Sequence, residues 1–148
     1  MKNEWKHCSI FANAIVLVLL TLSLSSCKGI LEATKQSYQL ETAMHEQMAH
    51  GDFTGIYNGA DIRYQNAISR DKSDMLFAAI ATKLGSPLDC KQGSTFVQAA
   101  TWGTTIKSVC NTTFSKNATA VETFMWIKSG GQYYLAGYHI NSDALIER

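Results

Sequence analysis

VETFMWIKSGGQYYLAGYHI, from Val121 to Ile140, is the stretch on which the fold turns. Two apolar, β-branched and aromatic runs flank Gly130-Gly131, which reads as a β-hairpin with a two-residue loop. If Ser129 faces Gln132, then Ile127 faces Tyr134, Met125 faces Ala136, Thr123 faces Tyr138 and Val121 faces Ile140. The other side of the ribbon then pairs Trp126 with Leu135, Phe124 with Gly137 and Glu122 with His139. Large apolar groups fall on both sides, so both faces are expected to be covered, one by helices and the other by curvature or a partner. Upstream of this hairpin the same character extends back to Leu88. Four strands are expected, at about 88–101, 104–114, 118–128 and 132–141. Their connections are Trp102-Gly103, Ser115-Lys116-Asn117 and Gly130-Gly131. Such short connections make neighbouring strands antiparallel.

Before Leu88 the periodicity is helical. From Leu31 to His50, Leu40, Met44 and Met48 recur every four residues with Ala43 and Gln47 beside them. Glu32, Lys35, Gln36, Glu41 and Glu46 form the expected polar face. Gly51 stops this helix, and Asp52 is placed to cap a short second one through Tyr57. Asn58-Gly59 marks a turn, and 62–68 reads as a short extended piece. Residues 69–84 form another helix, with Ser69 or Ser73 as its cap and Met75, Leu76, Ala79, Ile80 and Leu84 as its apolar stripe; Gly85-Ser86-Pro87 ends it. Helices followed by a meander give an α+β domain, its N-terminal helices packed on a curved four-stranded antiparallel sheet.

At the other end of the chain, two lysines in Met1-Lys2-Asn3-Glu4-Trp5-Lys6 precede an apolar run, Ala14 to Leu22. Leu24-Ser25-Ser26-Cys27 closes it. A charged start, a short apolar core and small residues at the end form the pattern of an export signal. The run is short of the ~20 residues that a membrane-spanning helix needs. Leu24 to Cys27 resembles the lipobox of bacterial lipoproteins. That resemblance implies a signal peptide at 1–26 cleaved before Cys27, lipidation of Cys27, a tether at 27–30 and one domain at 31–148. It places the domain in the bacterial cell envelope, with the membrane as a partner through the lipid. Lys28, rather than Asp, after the cysteine permits the outer membrane. The alternative is an uncleaved signal anchor.

Two of the thirteen cations and one of the twelve acids fall within 1–26, which leaves eleven of each. A balanced chain with no basic run is not built for nucleic acid. Cys90 and Cys110 remain as one even pair in an oxidising compartment, and a disulfide is expected. A loop of about twenty residues gives it ~3 kcal/mol in the chain-entropy picture. Two buried free thiols are the alternative. A Zn site lacks a CxxC neighbour or a nearby His, and no metal or other cofactor is expected.

Met48-Ala49-His50-Gly51-Asp52-Phe53-Thr54-Gly55-Ile56-Tyr57 and Gly137-Tyr138-His139-Ile140-Asn141-Ser142-Asp143 bracket this organisation. Together they resemble bacterial lipoproteins of the nuclear transport factor 2-like superfamily, a cone-shaped fold, over about residues 31–143. The resemblance implies a pocket between sheet and helices, in a superfamily that includes isomerases, dehydratases, ligand binders and dimerising modules. No position matches a catalytic signature of those enzymes, and fold likeness alone grants no activity.

The candidate pocket residues are Tyr57, Asp61, Arg63, Glu122, Trp126 and His139. Glu122 and His139 would form an acid/base unit if both lined an open cavity; otherwise they are a cross-strand pair. Asp61 and Arg63 read as polar ligand contacts or as a solvated loop. His45 shares a helical face with Glu41, which reads as a surface pair. Asn111-Thr112-Thr113 and Asn117-Ala118-Thr119 match the glycosylation pattern, but the bacterial export signal makes both coincidental. The expected role is a non-catalytic module that binds a small apolar ligand or another envelope protein. The alternatives are an isomerase or hydrolase using Glu122 and His139, and a homodimer formed through the sheet.

Overall fold

The computed structural model describes residues 31–101 and 103–146. The expected signal peptide, the tether and Cys27 lie outside the described residues. No described helix is long and apolar enough to cross a membrane.

Helix α1 covers residues 31–50, and its inward stripe is Ala33, Ser37, Glu41, Met44 and Met48. The spacing is helical and Met44 and Met48 are buried, as expected, with Leu40 packed against the core, but the stripe runs through Ala33, Ser37 and Glu41 rather than through Ala43 and Gln47. Ala43 is exposed, and Glu41, assigned to the polar face, is fully buried. Polarity alone misplaced it, because a carboxylate can be buried where the facing sheet supplies donors. The helix ends in a Schellman motif. Gly51 takes φ +72°, its N–H donates to Met48 O at 3.1 Å, and Asp52 N–H donates to Gln47 O at 2.9 Å. Asp52 then caps α2 (Phe53–Asn58), accepting from Gly55 N–H at 3.0 Å.

The segment after Asn58-Gly59 is helical, not extended: α3 spans Ile62–Ala67. Asp61 makes the difference. Its carboxylate accepts from Arg63 N–H at 2.9 Å, which is an N-cap, and its own N–H donates to Leu135 O at 2.8 Å. Helix α4 (Arg70–Lys83) has Ser69 at its N-cap position, without a side-chain cap bond. Its inward face is Ser73, Phe77 and Ile80, continued by Leu84. Ile80 and Leu84 of the expected stripe are fully buried and Leu76 packs against the core, but Met75 is 70% exposed and Ala79 also faces out, so the stripe is displaced by about a quarter of a turn. Phe77 sets the true centre.

The sheet is a meander in the order β1-β2-β3-β4, all antiparallel. The strands are β1 (Pro87–Ala100), β2 (Gly103–Phe114), β3 (Thr119–Ser129) and β4 (Gln132–Asn141). They match the expected spans to within a residue or so, and the sheet bends with irregularities at Pro87/Asp89 and Gln92/Thr95 in β1. Gly130 and Gly131 both have positive φ, +57° and +88°, as a type I′ hairpin turn requires. A short helix α5 (Asp143–Ile146) follows, held to α4 by Lys83 Nζ, which donates to Leu145 O at 2.8 Å.

The final hairpin begins in the expected register and then leaves it. Ser129 faces Gln132, Ile127 faces Tyr134 and Trp126 faces Leu135, but Met125 faces Gly137. Ala136 is the extra residue of a β-bulge. From there on every pairing is shifted by one: Phe124 meets Tyr138, Thr123 meets His139 and Glu122 meets Ile140. The bulge also inverts the strand's sidedness, since facing residues share a side of the sheet. Tyr138 and Ile140 turn inward, and His139 turns out to the exposed face.

Large side chains occupy the interior between helices and sheet. Phe77, Ile80 and Leu84 meet Ile106, Phe114, Phe124 and Tyr138 there. Phe124 stacks on Trp126 with centroids 5.8 Å apart, and Tyr138 lies 5.3 Å from Phe77.

Candidate functional site

Beneath α1, the inner face of the sheet carries a cluster of buried polar groups. Glu122 on β3 is at its centre and is completely buried. Its Oε1 accepts from Tyr138 Oη on β4 at 2.5 Å. Its Oε2 accepts from His45 Nε2 on α1 at 2.8 Å and from the hydroxyl of Thr112 on β2. Four elements therefore converge on one carboxylate. Burial without such donors would cost several kcal/mol, of order the transfer of a bare polar group to an apolar medium. Burial and the neighbouring Glu122 push the Tyr138 phenol well above its ordinary pKa, so its hydroxyl stays a donor.

One turn before His45 lies Glu41, also fully buried. Gln92 on β1 bridges to it: Nε2 donates to Ser37 Oγ at 2.8 Å and reaches Glu41 Oε2 at 3.4 Å. Glu41 Oε1 and the buried Ser108 hydroxyl each lack a partner of good hydrogen-bond geometry, although Ser108 is near enough to the carboxyl to favour its charged form. Burial pushes the Glu41 carboxyl above the usual carboxylate range; Ser108, Gln92 and His45 offset part of that rise.

The sulfurs of Cys90 and Cys110 are joined on the same inner face, with the Cα atoms 5.7 Å apart. That separation is ordinary for a disulfide. Cys110 is fully buried and Cys90 half-buried. Glu41 Oε2 lies 3.6 Å from Cys90 Sγ, and Thr112 Oγ1 lies 3.4 Å from Cys110 Sγ. Glu41, Cys90 and Cys110 bring one ligand atom each within 4.8 Å of one another. A soft metal takes thiolates, and joined sulfurs are not thiolates.

Hollows indent the described surface, three of them deep enough to name. One of about 200 Å³ lies between α1 and the start of β1, walled by Tyr38, Thr42, His45, Ala49, Leu88 and Cys90. Another, about 160 Å³, runs from Leu40 and Met44 past Gly55 to Trp126 and Tyr133. The third, about 400 Å³, lies over Lys91, Asn111, Thr113, Val121 and Asn141.

The six residues expected to line one pocket are dispersed. Trp126 borders the second hollow. Glu122 is sealed in the interior, and His139 is exposed on the opposite side of the sheet, so the two form no pair. Asp61 and Arg63 bind each other at 3.0 Å in the α3 cap. Tyr57 packs edge-on against Tyr64, with centroids 6.3 Å apart. The imidazole that does meet Glu122 is His45, which is no surface partner of Glu41. The spacing 37, 41, 44, 48 is itself helical and was the available sign of Glu41; Thr112 and Tyr138 left no such trace.

The fold and this cluster define an α+β body with a buried, carboxylate-centred polar network under its first helix. Compared with protein-family models and with curated proteins, the chain matches none.

Proposed function

We propose that the chain is a lipid-anchored protein of the bacterial cell envelope. Its body has the nuclear transport factor 2-like organisation and serves as a binding module rather than a pocket enzyme. The signal at Lys2 to Cys27 supports the address. The long first helix, the capped break at Gly51-Asp52 and the meander that follows support the fold. The observation that carries the binding role is the occupancy of the interior. Where an isomerase would keep an open cavity, Phe77, Phe124 and Ile80 are fully buried, and Glu122 is closed off by three donors. Contacts with a partner then fall to the outside of the sheet. There Phe96 is 62% exposed and Met125 and Val121 each 43%, interleaved with Lys107 and Thr123.

Three measurements test this reading. Labelled palmitate should enter the wild-type chain and not the Cys27→Ser variant; equal labelling of both removes the anchor. Native mass of the full-length chain in detergent, with and without Phe96→Ser, distinguishes self-association through the sheet from a monomer that binds another envelope protein. Tight co-purification of a small molecule that is lost on Trp126→Ala would favour a ligand binder instead.

A further inference from the structure

The Cys90–Cys110 pair sits in surroundings unlike those of a purely structural cross-link. A structural disulfide needs only packing around it. Here Cys110 Sγ is buried with a hydroxyl, Thr112 Oγ1, 3.4 Å away, and Cys90 Sγ has a buried carboxyl oxygen at 3.6 Å. The second oxygen of that carboxyl lacks a partner of good hydrogen-bond geometry. Cys90 is the more accessible half, in the wall of the groove beside α1, flanked by Leu88 at 67% exposure and Tyr38 at 50%. His45 opens on the same groove and is bonded inward to Glu122, which is bonded to Thr112. A continuous chain of hydrogen-bonding groups thus runs from the groove through His45, Glu122 and Thr112 to the sulfur of Cys110.

We propose that Cys90–Cys110 is a thiol–disulfide exchange site, with Cys90 the sulfur attacked and Cys110 the leaving group, and that its partner is a dithiol-bearing protein presenting its reactive cysteine on an apolar segment. The partner's thiolate bonds to Cys90 Sγ as the Cys90–Cys110 bond breaks. The electron pair goes to Cys110 Sγ. A proton reaches it from the Thr112 hydroxyl, which turns from Glu122 to the sulfur while Glu122 takes a proton from His45 and passes it to the Thr112 oxygen, and the groove resupplies His45. The partner's second thiolate then attacks the partner's own sulfur in the mixed disulfide. The electron pair returns to Cys90 Sγ, which takes a proton from the Glu41 carboxyl. Glu41 recovers its proton from solvent, so the chain gains two electrons and two protons; the partner released two protons as its thiolates formed, gives up the two electrons and leaves as a disulfide. Burial shifts the Glu41 carboxyl toward its protonated form. This activity goes beyond the binding role and does not depend on the lipid anchor.

The test uses the full-length chain in detergent, with peptide mass mapping after alkylation so that Cys90 and Cys110 are read separately from Cys8 and Cys27. Millimolar dithiothreitol is expected to reduce the pair while circular dichroism stays native. Reduction no faster than global unfolding would make the bond structural and overturn the proposal. In Cys110→Ser, glutathione disulfide should capture Cys90 as a mixed disulfide. In Cys90→Ser, capture at Cys110 should be at least about tenfold slower, as expected for an inaccessible sulfur. The reverse order would overturn the assignment. Thr112→Val should slow reduction of the folded wild-type pair by about tenfold. It should leave capture of Cys90 in the Cys110→Ser background unchanged, whereas a merely structural Thr112 would alter both, and Thr112→Ser should restore the rate. If the serine variants do not fold, reduction of the unaltered chain with its fold retained decides alone.

Discussion

Tyr138 donates its hydroxyl to Glu122 Oε1 at 2.5 Å, although the two residues are not cross-strand partners. Glu122 faces Ile140 and Tyr138 faces Phe124, so the bond runs diagonally across β3 and β4. It exists because the bulge at Ala136 turns Tyr138 inward. In a regular hairpin Tyr138 would face Thr123 on the other side of the sheet, and His139 would stand beside Glu122.

Removing the shared acceptor should therefore be more damaging than removing one donor. Glu122→Leu leaves Tyr138, Thr112 and His45 without their partner and is expected to cost about 3 kcal/mol or more. Tyr138→Phe leaves the buried Oε1 without its donor while Oε2 keeps both of its own, a loss of ~1–3 kcal/mol. Urea denaturation of the two variants gives the ranking. Equal midpoints would show that the network contributes no more than a single hydrogen bond.

Deleting Ala136 removes the extra residue of the bulge, so Gly137 follows Leu135 directly and stays opposite Met125. Tyr138 and Ile140 then keep their partners Phe124 and Glu122 and remain inward. Cooperative unfolding is expected to survive the deletion. Its loss would show that the bend at the bulge, and not the pairing beyond it, holds the end of the strand in place. Substituting Ala136→Ser, which keeps the extra residue, is the matched control.

Glu41 makes stability depend on pH in a definite direction. Its carboxyl is raised in the folded state, chiefly by burial, with Ser108, Gln92 and His45 opposing and Glu122 adding to the rise. The fold therefore holds this proton more tightly than the unfolded chain does. The associated stability is complete below the unfolded value near pH 4.3 and declines as pH rises through the higher folded value. Glu41→Gln has no such proton to lose. Its melting temperature relative to wild type should climb between pH 4 and pH 8. A difference that stays flat, or falls, would place the ionised form in the native state.

Local signals around α2 should behave independently of the buried network. Asp52→Ala removes the acceptor for Gly55 N–H and is expected to cost ~1 kcal/mol. Gly51→Ala forces a side chain into φ +72°, with nothing within 4 Å of the added carbon, so its cost is backbone strain of ~1 kcal/mol rather than a clash. The double mutant measures whether the stop and the cap, on adjacent residues, act additively.

At the centre of the core, Phe77→Ala should cost ~3–5 kcal/mol, because its ring is fully buried against Phe53 and Tyr138. Met75→Ala, two residues away and 70% exposed, should change stability by no more than ~0.5 kcal/mol. Thermal melts of this pair test which face of α4 is inward.

The features written in local chemistry were legible in the chain before any coordinates. Gly51 and Asp52 announce a helix stop and a cap because a positive φ and a short carboxylate suit those positions whatever surrounds them. Gly130-Gly131 announces a hairpin for the same reason, and the four strands follow from composition and spacing. Which side chains meet was another matter. Glu41 looked like a solvent-facing residue because the donor that meets it, on Gln92, comes from a strand some fifty positions later. His139 looked like the partner of Glu122 because one extra residue, Ala136, carries no mark of its own in the sequence. Register and burial are settled by the cost of leaving polar groups unpaired in the interior, a quantity summed over the whole assembled body. Short-range patterns choose the elements; only their packing decides which carboxylate, imidazole and sulfur come to share one space.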